Sequence, residues 1–126
     1  MTKPRIPVSH LRLKRAYEPA ESGDGIRILV DRLWPRGVSK ADADLHDWMK
    51  DIAPSTDLRK WFGHDPARWA EFQRRYRAEL RRHDDELDHI RELARRQTVT
   101  LVYGARDEEH NDAVVLRDVL LNDTGG

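Results

Sequence analysis

The 126-residue sequence contains no cysteine. Disulfides, thiolate nucleophiles and cysteine-ligated zinc are therefore excluded. It also lacks net charge, because 23 Lys and Arg balance 23 Asp and Glu. That disfavours a nonspecific polyanion binder held by bulk charge, while leaving room for a local basic patch. No long apolar run is present. Residues 1–9 carry basic residues and two prolines but no hydrophobic stretch of the kind a signal peptide needs, and nothing elsewhere could span a bilayer. The expectation is a soluble, cytoplasmic protein with no membrane partner. A glycine-rich phosphate loop, a serine elbow and a helix-turn-helix signature are all missing. No His-x-x-x-His or similar spacing joins His64 and His110 to an acid, so no metal is assigned and any cofactor stays unknown.

What is present points first to residues 30–37, Val-Asp-Arg-Leu-Trp-Pro-Arg-Gly. An apolar strand runs straight into an acid, two arginines and a tryptophan before a Pro-Gly turn. Polar groups at the end of a buried strand are costly unless partnered, so they mark a site or a structural network. The length suits one domain of about 100–150 residues. Residues 1–8 read as a flexible arm, 9–122 as a single α/β domain and 123–126 as a frayed tail.

Three strands are predicted. Residues 10–17 alternate, which suits an edge strand. Residues 26–31 and 98–103 are continuous apolar runs, as expected where helices cover both faces. Helices are predicted after the Ser39 cap, with Leu45, Trp48, Met49 and Ile52 on one face. A short one follows Thr56 or Asp57, and Gly63 stops it. Asp65-Pro66 opens another, carrying Trp69, Phe72, Tyr76 and Leu80, with a break near residues 83–85. The last is expected to start at Asp107, with Ala113, Leu116, Val119 and Leu120 on its buried face.

Long helical crossovers join parallel strands, so the strands ending at Asp31 and Tyr103 are expected to be parallel neighbours. The resulting fold is a single three-layer α/β domain with a short, mainly parallel sheet flanked by helices. Its ligand crevice would lie where those two strands end. One loop brings Asp31, Arg32, Trp34 and Arg36. The other brings Tyr103, Arg106, Asp107, His110 and Asn111.

Arg32, Arg36 and Arg106 offer bidentate grips for a phosphate or carboxylate. His110 can move a proton near neutral pH. Asp31 can orient that histidine, act as a base or hold a metal. Tyr103 or Asn111 would orient a ligand, and free N–H groups of a helix starting after Asp107 would seat an anion. Each has a plainer alternative. Asp31 can accept backbone amides of its own turn. Arg32 can sit in a structural ion pair with Asp31 or Asp107. Asp107 can be only a cap, Trp34 only packing, and His110 only a solvated side chain.

Trp48, Trp61, Phe62, Trp69, Phe72 and Tyr76 read as an aromatic core. Arg74, Arg75, Arg77, Arg81 and Arg82 make a basic stretch, but interleaved acids suit a solvated face with i,i+4 pairs better than a nucleic-acid surface.

Several segments together resemble one family. They are residues 29–40 (Leu-Val-Asp-Arg-Leu-Trp-Pro-Arg-Gly-Val-Ser-Lys), Trp48 with 51–55 (Asp-Ile-Ala-Pro-Ser), 58–62 (Leu-Arg-Lys-Trp-Phe) and 64–66 (His-Asp-Pro). Phe72, Arg75-Tyr76, Glu79-Leu80, the strand at 99–103 and the run 107–116 complete the pattern. Nearly the whole chain after Lys3 is similar to the YeaO-like branch of DUF488, a domain family of unknown function. The resemblance implies a small α/β domain and establishes no activity. Members are sometimes labelled transcriptional regulators, for which this sequence offers no DNA-reading motif. The broader family pairs an Asp-x-Arg strand end with a second cluster built on Cys and Cys-His-Arg. Here Tyr103 and His110-Asn111 occupy that second region, and Asp112 stands where a His or an amide is expected in close relatives.

The leading expectation is a binder of, or enzyme acting on, a small anionic ligand, with Asp31 and His110 as base and acid. Two rivals stand beside it. One is a nucleic-acid or regulatory module using the Arg-rich helix. The other is a non-catalytic interaction protein whose polar cluster is scaffold.

Overall fold

The computed structural model describes residues 5–122. Residues 1–4 of the expected arm and the whole expected tail lie outside the described residues.

Four strands form one sheet: β1 (Leu11–Arg15), β2 (Ile26–Leu29), β3 (Asp47–Trp48) and β4 (Val99–Tyr103), in the order β1-β4-β2-β3. Every pairing is parallel. Five α-helices accompany them: α1 (Lys40–Ala43), α2 (Thr56–Phe62), α3 (Trp69–Leu80), α4 (Asp84–Arg96) and α5 (Asp112–Asn122). The expected adjacency of β2 and β4 is observed, with Ile26 opposite Val99 and Leu29 opposite Val102. β4 is central and buried at every position, which explains its unbroken apolar sequence.

Alternation along the strands builds two cores. Ile28, Val30, Val99, Leu101 and Tyr103 face the larger one, which takes Phe62, Phe72 and Tyr76 from α2 and α3, Ile90 from α4, and Leu116 from α5. Leu29 and Val102 face a thinner layer containing Trp34, Val38, Leu45 and Trp48. That second face also buries a charged network. Lys14 Nζ donates to both Asp24 carboxylate oxygens at 3.2 Å, and Arg27 donates to Oδ2 of the same carboxylate at 2.7 Å and to the Ala43 carbonyl at 2.7 Å. Burial alone would raise the Asp24 pKa. The Glu21 N–H, Lys14 and Arg27 outweigh it and hold the group below the ordinary carboxylate range.

Two helix expectations are corrected. Ser39 caps a helix as expected, but that helix ends at Ala43, and Leu45, Trp48, Met49 and Ile52 do not share a helical face. Asp44 takes a left-handed conformation (φ 46°) and ends the turn, and β3 then adds to the β2 edge. Sheet pairing, with His46 N–H donating to Arg27 O and Met49 N–H to Leu29 O, overrides the helical spacing. The short helix is capped by Ser55 rather than Thr56 or Asp57: Leu58 N–H donates to Ser55 Oγ at 3.2 Å. The break near 83–85 is present, between α3 and α4.

One glycine is obligatory. Gly25 has φ 65°, and a Cβ there would lie 2.1 Å from the Thr98 carbonyl oxygen. The close approach lets Ile26 N–H reach that same carbonyl and start the β2–β4 pairing.

Candidate functional site at the ends of β2 and β4

β2 and β4 run side by side to their C-terminal ends, and the loops after them meet there. The Gly104 N–H donates to Asp31 Oδ2 at 2.8 Å, joining the two loops directly. A Cβ on Gly104 would sit 3.3 Å from that oxygen, so a small residue at this point lets the carboxylate approach. Asp31 also accepts, through its backbone carbonyl, the Trp48 indole N–H at 2.7 Å.

The second carboxyl belongs to Asp112. It hydrogen-bonds Asp31 and accepts backbone N–H groups of Asp112 and Ala113 at the start of α5. Burial raises both pKa values. For Asp112 the negative charge of Asp31 adds to burial and lifts the group far above the ordinary carboxylate range. For Asp31 the Asp112 carboxyl, the Gly104 N–H and nearby His64 oppose burial, so the rise is smaller. Two carboxyls in contact cannot both ionise readily.

Beside Asp112 opens a pocket of about 60 Å³. Its walls are Pro54, Phe62, Phe72 and Ala105, and its polar lining comes from Arg59, His64, Asn111 and Asp112. Phe62 and Phe72 stack at 4.3 Å between centroids and are fully packed. Arg59 and His64 are exposed, at the rim. Gly63 and His64 both have positive φ, 54° and 56°, which ends α2 and sets the histidine at the pocket mouth. A left-handed histidine is uncommon enough to mark a constrained loop.

The residues expected to form the site are distributed as follows. Asp31, Asn111 and His110 lie on the two converging loops, and Tyr103 is the last residue of β4. Asn111 is buried, accepts the Val114 N–H at 3.1 Å and donates to the Asp107 carbonyl at 2.9 Å. Its side chain also hydrogen-bonds Tyr103, whose pKa is raised by burial. His110 Nδ1 pairs with Asp107 Oδ2 at 2.9 Å, and its ring meets Trp69 edge-on at 5.2 Å. Asp107, not Asp31, is therefore the acid that orients this histidine.

The expectation that α5 begins after Asp107 is corrected. Asp107 closes a separate turn by accepting the Glu109 and His110 N–H groups, which hold its pKa down, and α5 starts five residues later with Asn111 as its cap. The anion seat expected on the N–H groups after Asp107 is thus filled by that carboxylate itself.

The three arginines do not converge. Arg32 spends its guanidinium on the carbonyls of Pro54 (3.1 Å) and Ala53 (3.2 Å). Arg36 is exposed, in a turn tied by the Tyr17 hydroxyl donating to its backbone carbonyl. Arg106 is exposed on the β4 loop. Trp34 packs on the opposite sheet face, donating to the Val38 carbonyl at 2.7 Å and meeting Trp48 at 5.5 Å.

Sequence reasoning missed Arg59 and Asp112. Starting α5 one turn early places Asp112 inside a helix rather than at its first residue. Its signal was Asn111-Asp112, a good cap followed by an acid suited to the first turn. Arg59 carries no sequence signal, because only the fold of α2 over the strand ends brings it to the pocket. Among the described residues no cluster of three His, Asp or Glu side chains has metal-site geometry, and no helix is long and apolar enough to cross a membrane.

A family model described as the inactive DUF488-N3 subclade matches residues 10–125. The chain belongs to this DUF488 subclade. It is 47% identical to the uncharacterized protein YeaO of Escherichia coli (strain K12) over 111 residues, covering 88% of this chain and 96% of the relative. It is 42% identical over 113 residues to the uncharacterized proteins Rv3073c of Mycobacterium tuberculosis (strain H37Rv) and Mb3100c of Mycobacterium bovis, covering 89% of this chain and 94% of each. No solved structure matches it. DUF488 membership, a YeaO-like sequence and an α/β fold thus agree with one another.

Proposed function

We propose that this DUF488 domain binds a small anionic ligand, carboxylate- or phosphate-bearing, in the pocket beside Asp112. The observation that carries the reading is the pocket's division of chemistry. Packed aromatic walls adjoin the exposed Arg59 guanidinium and His64 on one hand and the Asp112 carboxyl on the other. Concave sites with apolar walls and a few convergent polar groups are the usual form of small-molecule sites, and strand ends of parallel sheets are their usual place. The clamp passes from Arg32, Arg36 and Arg106 to Arg59, because Arg32 is occupied and the other two do not line the pocket. Asp31, His110 and Tyr103 then act as positioning groups. The word "inactive" in the subclade's description favours binding over turnover.

The nucleic-acid alternative draws less support. Arg74 and Arg75 of the basic stretch both pair with Glu71, and Arg77 pairs with Asp118. The scaffold alternative is favoured by Arg32 alone, whose bonds are all to backbone.

The test is a thermal-shift and calorimetric screen of small carboxylates and phosphate compounds against the wild type and Arg59→Ala. A ligand at a hundred times its Kd adds about 2.7 kcal/mol of stability. The expected result is stabilisation by at least one anion, lost in the variant. Stabilisation that Arg59→Ala leaves intact would place the ligand elsewhere.

A further inference from the structure

The pocket's size and polarity narrow the ligand, on the basis of the reading just given. A water needs roughly 10–15 Å³, so a space of about 60 Å³ admits the equivalent of a few waters. The inserted part of a ligand is therefore only about four to six heavy atoms. Phe62, Phe72 and Pro54 suit a short hydrocarbon stem.

Charge fixes the direction of entry. The more buried end of the lining carries the Asp112 carboxyl, half-buried and hydrogen-bonded to the Asp31 carboxyl behind it. An anion would be repelled there. The positive side chain of the lining, Arg59, is at the solvent rim. The anionic group must therefore face outward, and the inner end should donate a hydrogen bond.

The same features discriminate between anions. A phosphate dianion is best held by several convergent donors, such as backbone N–H groups at a helix start with more than one cation. Here the N–H groups at the start of α5 are already taken. The Asp112 carboxyl accepts from Asp112 and Ala113, and Asn111 accepts from Val114. Arg32, the nearest further arginine in sequence to Asp31, is bonded to Ala53 and Pro54. One guanidinium at a rim suits a carboxylate, which it can grip with two parallel N–H bonds.

We propose that the pocket takes a short-chain monocarboxylate, its carboxylate outward on Arg59 and a hydrogen-bond donor at its other end directed to Asp112. Hydroxyl and amine donors share this chemistry, and the test separates them.

The experiment is isothermal titration calorimetry of the full chain with gamma-hydroxybutyrate, gamma-aminobutyrate, butyrate and inorganic phosphate. The expected order places one or both donor-bearing acids at least about tenfold tighter than butyrate, the difference made by one hydrogen bond to a charged or polar partner. Phosphate should be weakest. Arg59→Ala should weaken all the carboxylates about equally, whereas Asp112→Leu should bring the donor-bearing acids down to butyrate. Arg59 is exposed, so its removal should leave the fold intact, and circular dichroism of both variants checks this.

Arg59-dependent binding of phosphate but not of the carboxylates would overturn this inference and leave the anion-binding reading standing. Equal affinity for butyrate and the donor-bearing acids would remove the inner hydrogen bond from the proposal. No heat from any probe, with no anion active in the wider screen, would overturn both.

Discussion

The side chains of Asp31 and Asp112 hydrogen-bond each other where the end of β2 meets the start of α5. The two residues are far apart in sequence, and their contact ties the last helix to a central part of the sheet. It also makes the stability of that junction depend on pH.

For both groups the folded state raises the pKa above the ordinary value of 3.8. The folded protein therefore binds more protons than the unfolded chain. Their contribution is fully present below about pH 3.8 and declines as pH rises through the folded pKa values, with Asp112 the later to titrate. Asp24 and Asp107 behave oppositely, with depressed pKa values, so their stabilisation is lost as pH falls. Asp112→Asn isolates the first effect, since an amide can donate to Asp31 at any pH. The melting temperature of the variant, less that of the wild type, should grow from mildly acidic to mildly alkaline buffer. Parallel profiles would mean that the pair does not hold a proton.

Arg32→Ala should lower stability by about 1–3 kcal/mol, because two carbonyls lose a charged donor. The protein should stay folded, with a reduced urea midpoint and an unchanged m-value. Arg32→Lys should recover only part of the loss, since an ammonium lacks the fork that reaches both Ala53 and Pro54. Full stability in Arg32→Ala would free this arginine for a ligand after all.

Asp24→Ala should cost roughly 3–5 kcal/mol, the usual penalty for leaving buried charge uncompensated. Arg27 would lose its carboxylate partner while remaining buried, and Lys14 would keep only Glu21. Chemical denaturation gives the value directly. A loss below about 1 kcal/mol, the range of an exposed pair, would show that water or Glu21 replaces the carboxylate.

Gly25→Ala should be more damaging than its size suggests. Positive φ and a methyl 2.1 Å from the Thr98 carbonyl force the backbones of β2 and β4 apart. The expected cost is on the order of 3 kcal/mol, read as poor soluble yield or a large drop in melting temperature. A near-native melting temperature would mean that the loop can open without disturbing the strand pairing.

The strand arrangement was legible because it follows from chain direction and crossover length. Two apolar runs separated by helices are expected to be parallel, and burial on both faces leaves them without alternation. The turn at residues 30–37 pointed correctly to the place where β2 and β4 end. Less was legible where tertiary pairing overrules local spacing. Leu45, Trp48, Met49 and Ile52 fit a helix, yet the edge of β2 recruits Asp47 and Trp48 instead. Arginines posed a different difficulty. Arg32, Arg36 and Arg106 look equivalent in sequence, and only the fold tells that one is bonded to backbone and two face solvent. Arg59 was invisible because only the packing of α2 over the strand ends brings it, with Pro54, Phe62 and His64, beside Asp112.

The position of β4 in the sheet also governs how the chain can fold. β1 and β2 do not touch each other as sheet neighbours; each pairs with β4, the last strand to be made. During synthesis β1 must wait, unpaired, until residues 99–103 have emerged, while β2 has only the two-residue β3 to pair with. No antiparallel hairpin forms in this all-parallel sheet, and the β4 side of β2 stays open for most of translation. Loop closure on this scale is slow, so the chain's exposure to misassembly is greatest just before its final strand arrives.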